Sequence, residues 1–160
     1  MWGRLTRRER TLRQTLLEGI VRRARTPSNG DLARELGMSE ADVKSLLRGL
    51  ETKGFLIRDS RSRAIVAAYP FSLQPTPHRV TFETGEQAFA LCAIDALGVA
   101  PLFGATVTAE AACPHCGKAI RIVLQSGGIV SYEPSTMVVW YGLPDLLTKR
   151  VVGLNLAEVH

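Results

Sequence analysis

Apolar residues recur with a helical period over residues 5–25. Leu5, Leu12, Leu16, Leu17, Ile20 and Val21 share one side, and arginines crowd the others. A spacing near 3.6 residues predicts an amphipathic helix. The run Thr26-Pro27-Ser28-Asn29-Gly30 breaks it. A second, shorter helix is predicted over 31–37, with Leu32, Ala33 and Leu36 inward and Gly37 as its stop. Ser39 is placed to cap a third helix, which ends at Gly54. Glu40 and Asp42 lie at its positive end, and Val43, Leu46, Leu47 and Leu50 form its inner stripe. Two β-prone runs, 55–58 and 64–69, flank the polar tip 59–63 and predict a hairpin. Three helices followed by a hairpin is the order of a winged helix-turn-helix.

The pattern then changes. Residues 69–79 contain Pro70, Pro75 and Pro77. Proline fixes φ and lacks a backbone donor, so an extended connector is predicted, with His78 on its surface. Ala88, Phe89, Leu91, Cys92 and Leu97 predict a mostly buried helix, opened by a capping box of Thr84 and Gln87. Beyond Gly104, β-like runs follow at 106–110, 119–124, 129–132 and 137–141. A polar segment at 145–150 and a last strand at 151–159 complete the sequence. The expected class is α+β: a winged-helix domain over 1–69, a Pro-rich linker over 70–80, and a small mixed α/β domain over 81–160.

Charge divides the chain in the same place. Residues 1–80 hold 16 Lys and Arg against 8 Asp and Glu, a net +8. Residues 81–160 hold 4 against 7, a net −3. A basic winged helix suggests DNA as a partner, with Lys44, Ser45 and Arg48 on the third helix and Arg61 and Arg63 on the hairpin tip near phosphates. The alternative is a structural or homodimerisation unit with a solvated arginine face. Glu40 and Asp42 favour that alternative, because they would repel phosphate. No apolar run approaches the ~20 residues of a membrane span. The opening MWGRLTRRER lacks the apolar core of a secretory signal, so the expected location is cytoplasmic.

Candidate chemistry lies in the second half. Three cysteines, Cys92, Cys113 and Cys116, are too few for a disulfide framework. Cys92 and Asp95 stand three residues apart, which puts a thiol and a carboxyl on one helix face. Cys113-Pro114-His115-Cys116-Gly117 between two strands has the spacing of a knuckle that offers two sulfurs to one metal. Zinc or copper are candidate occupants at Cys113 and Cys116. A closed zinc site needs four ligands, for which Cys92 and either His115 or a water are the candidates.

The run Leu91-Cys92-Ala93-Ile94-Asp95-Ala96-Leu97, followed by Pro101 and Gly104, resembles the active-site helix of the organomercurial (alkylmercury) lyases. Cys113 with Gly117 four residues on, Glu133-Pro134 followed by Met137, and Leu143-Pro144 extend the resemblance. It implies a winged-helix-like N-terminal domain joined to a mixed α/β catalytic core. It also implies cleavage of carbon–mercury bonds without a cofactor, with mercury as substrate and product. By resemblance Cys92 is the first catalytic cysteine, Asp95 the proton donor and Cys113 a structural cysteine. A second catalytic cysteine is implied near Leu156 and Ala157, where this sequence has none, and family members continue past the position of His160. The chain thus reads as a shortened or divergent member. On one reading Cys116 replaces the missing thiol, and Cys92, Cys113 and Cys116 form a three-sulfur site for a soft ion. The competing reading is a winged-helix transcriptional regulator or metal sensor whose C-terminal half binds a soft metal.

Overall fold

The computed structural model describes residues 4–139. The chain forms two compact units, Met1–Tyr69 and Pro70–His160.

In the first unit, α1 (Arg7–Arg23) opens with a reciprocal cap. The Glu9 N–H donates to Thr6 Oγ1 at 3.2 Å, and the Thr6 N–H donates to Glu9 Oε2 at 2.7 Å. Its inner stripe of Leu12, Leu16, Leu17, Ile20 and Val21 is buried. The helix ends at Ala24, which adopts a left-handed conformation. α2 (Asn29–Leu36) is capped by Ser28 and Asp31 in the same reciprocal way. Gly37, at φ +61°, stops it and donates to its last carbonyls. α3 (Glu40–Thr52) starts from Ser39 and buries Val43, Leu47 and Leu50.

β1 (Leu56–Arg58) and β2 (Ile65–Ala68) pair antiparallel, with Leu56 opposite Ala68. Asp59 Oδ1 ties the connecting turn by accepting from the Arg61 and Ser62 N–H groups at 3.1 and 2.7 Å. Not every arginine of α1 is a solvated charge. Arg13 lies 5.3 Å from the centre of the Phe55 ring and donates to the Tyr69 carbonyl at 2.7 Å, so it packs as much as it charges.

The second unit departs from the expected plan at its start. The predicted connector over 70–80 contains β3 (Phe71–Ser72), and β4 (Arg79–Phe82) begins within it. The prolines stand outside these strands, where no ladder donor is needed. Thr76 stitches the segment down: its hydroxyl donates to the Ala90 carbonyl at 2.6 Å, and the His78 carbonyl accepts the Ala90 N–H at 2.8 Å. His78 is consequently buried, not on the surface.

The predicted long helix from Thr84 is a strand and a shorter helix. β5 (Gln87–Ala90) pairs with β4, with Val80 opposite Ala88. Gly85, at φ +100°, makes the tight turn between them, a conformation that favours glycine. Thr84 bonds Glu86 across that turn, so it is not a helix cap. α4 is Ala93–Phe103 and ends at Gly104 in the left-handed region.

β6 (Val107–Ala112), β7 (Ala119–Gln125) and β8 (Gly128–Glu133) then form a meander. Among the described residues of this unit the strands lie in the order β3-β5-β4-β6-β7-β8, each pair antiparallel. α4 packs on the sheet through Ala96, Val99 and Ala100. Phe103 sets its ring 5.7 Å from Phe71 and 5.2 Å from Phe82, edge-on to the latter. Met137–Val139, the described part of the strand predicted at 137–141, is irregular. The rest of that strand, the polar segment at 145–150 and the strand at 151–159 lie outside the described residues, as do Leu156 and Ala157.

Candidate active site

The shift of the helix start to Ala93 changes what Cys92 is. It is the N-cap of α4, with extended backbone at φ −152°, and its sulfur stands where a capping hydroxyl usually stands. Cys92 Sγ accepts the Asp95 N–H at 3.4 Å and donates its own proton to Asp95 Oδ2 at 3.2 Å. Thiol and carboxyl are thus in direct contact, as the C-x-x-D spacing suggests, but through a cap and not across a mid-helix face. Cys92 is 3% exposed and Asp95 is half-buried.

Two physical effects compete at this pair. A helix N-terminus favours a thiolate. Burial disfavours either charged form and wins at both groups. It pushes the Cys92 thiol up to about 11; the backbone N–H groups of Asp95 and Ile94 oppose the rise, and the Asp95 carboxyl adds to it. Burial also lifts Asp95 above the usual carboxylate range, with the Cys92 hydrogen bond acting against it. Cys92 is therefore a held thiol and not a standing thiolate. Asp95 is an acid that retains a proton more readily than an exposed aspartate does.

Next to this pair lies an apolar cavity of about 290 Å³. Its lining includes Ala93, Ala96 and Leu97 of α4, Ile122 of β7, and His78 and Cys113. His78 is the residue that the sequence misplaced. No local signal marks it: it stands just before β4, and its carbonyl accepts the N–H of Ala90 at the end of β5.

Cys113 begins the turn between β6 and β7. Its N–H donates to the Lys118 carbonyl and its carbonyl accepts the Gly117 N–H, both at 2.8 Å. Cys113 is half-buried and Cys116 exposed. The N–H groups of Cys116 and His115, and the Cys116 thiol, hydrogen-bond Cys113 and hold its thiol below the ordinary cysteine range. Among the described residues no three His, Cys, Asp or Glu side chains converge as a metal site. The three-sulfur arrangement of Cys92, Cys113 and Cys116 is therefore not assembled. The four-ligand zinc site is not assembled either: Cys92 is committed to its cap, and Cys113 to a turn on another element.

The basic residues proposed to meet DNA are exposed, but two are already paired. Lys44 lies 3.8 Å from Glu40, and Arg63 lies 3.2 Å from Glu51. Ser45, Arg48 and Arg61 are exposed.

Fold and site together define an α+β protein with a buried thiol hydrogen-bonded to a carboxyl beside an apolar cavity. The sequence profile described as alkylmercury lyase matches residues 71–153, which include that whole site. An alkylmercury lyase of Staphylococcus epidermidis is 37% identical over 115 residues, covering 72% of this chain and 50% of that protein. One of Bacillus cereus is 36% identical over 131 residues, covering 81% and 56%. In fold, the chain is similar to the mercury-bound form of MerB2, with a TM-score of 0.68 at 23% identity, over 86% of this chain and 65% of that one. This chain belongs to the alkylmercury lyase family. It spans about half the length of the two relatives described.

Proposed function

We propose that this protein cleaves the carbon–mercury bond of organomercurials, with Cys92 as the nucleophile and Asp95 as the proton donor. The observation that carries this reading is the 3.2 Å contact between the Cys92 thiol and the Asp95 carboxyl. Mercury is soft and prefers sulfur to oxygen. As Cys92 Sγ bonds to the mercury of R–Hg–X, its S–H proton passes to the Asp95 carboxylate that already accepts it. Asp95 then delivers that proton to the carbon as the C–Hg bond breaks. The balance is thiol plus R–Hg–X giving a Cys92-bound mercury that retains X, and R–H. A proton taken up and given back explains why a thiol held up to about 11 is compatible with the reaction. Bonding to a metal strips a thiol of its proton, so no prior thiolate is required.

The reaction needs no cofactor on this reading, since the thiol, the acid and the substrate supply every atom. The apolar cavity beside Ala93 suits the organic group of the substrate. The first unit reads as a winged helix-turn-helix, supported by three capped helices followed by a hairpin. DNA binding and dimer formation find no comparable support. Among the described residues no helix is long and apolar enough to cross a membrane.

The test is incubation with an alkylmercury salt and an excess of a small thiol, which removes the product ion. Release of alkane and inorganic mercury above a Cys92→Ser control is expected. Equal release from both proteins removes the proposal.

A further inference from the structure

The proposed reaction leaves Cys113 and Cys116 without a task. Both are free thiols, separated only by Pro114 and His115 in one tight turn. The turn is fixed by backbone. Cys113 bonds Lys118 and Gly117 through its own N–H and carbonyl, and Gly117 sits at φ +72°, where a side chain would be strained. With only two residues between them in this backbone-tied turn, the two thiols are held near one another. Cys113 forms part of the cavity wall that also includes Ala93, the residue after Cys92, while Cys116 is open to solvent. The pair therefore joins the cavity to the surface.

Coordination number decides what such a pair can hold. Among the described residues no third His, Cys, Asp or Glu joins it. Zinc would find only half of its usual four ligands there. A soft cation satisfied by two thiolates would find a complete set. We infer that Cys113 and Cys116 form a two-sulfur clamp for mercuric ion, separate from the Cys92–Asp95 pair. As each sulfur–mercury bond forms, mercury loses one of its previous ligands (chloride or the small monothiol), which leaves with the thiol proton or releases that proton to water, and no electrons are transferred. That the captured ion is the product of this protein's own reaction rests on the lyase reading; the capture itself does not.

The experiment uses the full chain carrying Cys92→Ser, so that Cys113 and Cys116 are its only cysteines. Serine keeps the α4 cap, so the fold is retained. Mercuric chloride is added with an excess of a small monothiol, and mercury retained after desalting is measured beside the sulfur-to-mercury ultraviolet absorption. One ion per chain is expected, with retention falling roughly a hundred-fold when Cys116→Ser is added, because the second thiolate then no longer acts intramolecularly. Zinc in a parallel sample is expected to wash off. Unchanged retention in the Cys116→Ser protein, or zinc held as firmly as mercury, overturns the clamp. No organomercurial is present, so this result stands apart from the fate of the lyase reading.

Discussion

Cys92 gives its proton to Asp95 Oδ2 at 3.2 Å while accepting the Asp95 backbone N–H at 3.4 Å, so one residue both raises and restrains the same thiol. The carboxyl stabilises the neutral thiol, and the backbone N–H stabilises the thiolate. Replacing Asp95→Asn removes only the first effect. The Cys92 thiol is then expected to titrate below its present position of about 11 and to alkylate faster at neutral pH. Carbon–mercury cleavage is expected to fall roughly 100- to 10,000-fold, the usual worth of a positioned acid. Peptide-resolved alkylation against pH, measured beside alkane release, reads both. A variant more reactive toward alkylating agents yet poor at cleavage is the signature of a proton donor. An unmoved titration would show that the carboxyl does not hold the proton.

A second pair governs the first unit. Lys53 Nζ donates to both carboxylate oxygens of Glu9 at 2.7 Å, and Glu9 is 5% exposed. The Lys53 hydrogen bond, then the Thr6 N–H, hold the Glu9 carboxyl at about 2, below its ordinary 4.5. The folded state therefore favours the charged form. Its contribution to stability is complete above about pH 4.5 and is lost as pH falls toward about 2. Lys53→Met strands the buried carboxylate and is expected to cost about 3 kcal/mol at pH 7. Denaturant unfolding from pH 7 down to pH 2 should show the gap between wild type and variant closing over that acidic window. A constant gap would place the effect in packing and not in charge.

Much of the first unit was legible because its signals are local. Ser39 and Gly37 sit at helix ends and the inner stripes repeat with one period, whereas Ser28, which reads as part of a break, caps α2, which starts two residues before the expected 31. The second unit hid its plan in pairings between distant residues. Gln87–Ala90 reads equally well as helix or strand, and its hydrogen bonds to Arg79–Thr81 decide the matter. Gly85 was the available signal, a turn glycine standing inside what looked like a capping box. The later start of α4 also changes the site. A cysteine thought to be mid-helix had no donors within reach, whereas at the N-cap it faces the free N–H groups of the first turn. The two residues were found by spacing, and their electrostatics only by structure.

Gly19 shows how a helix glycine can be fixed by its neighbour. In an exposed helix, Gly→Ala usually gains up to about 1 kcal/mol. At Gly19 an added Cβ would press directly into the Pro27 ring, which is itself buried in the loop leaving α1. Neither side can yield easily, because Pro27 has a fixed ring and Gly19 lies within the helix. Gly19→Ala is therefore expected to destabilise by about 1–3 kcal/mol, as overpacking does. Thermal unfolding of the variant decides the sign, and a rise in midpoint would show that the loop gives way.

The cap at Cys92 separates folding from chemistry by choice of substitution. Serine at an N-cap accepts the same backbone N–H, whereas alanine accepts nothing. Cys92→Ser is thus expected to unfold close to wild type, and Cys92→Ala to lose about 1 kcal/mol, the usual cost of a missing cap. Neither variant offers mercury a soft ligand at this position, so both are expected to lack carbon–mercury cleavage. Denaturant midpoints measured beside alkane release test the two roles together. Equal stability of the serine and alanine variants would mean that the sulfur does not cap α4. Cleavage surviving in the serine variant would mean that the nucleophile lies elsewhere.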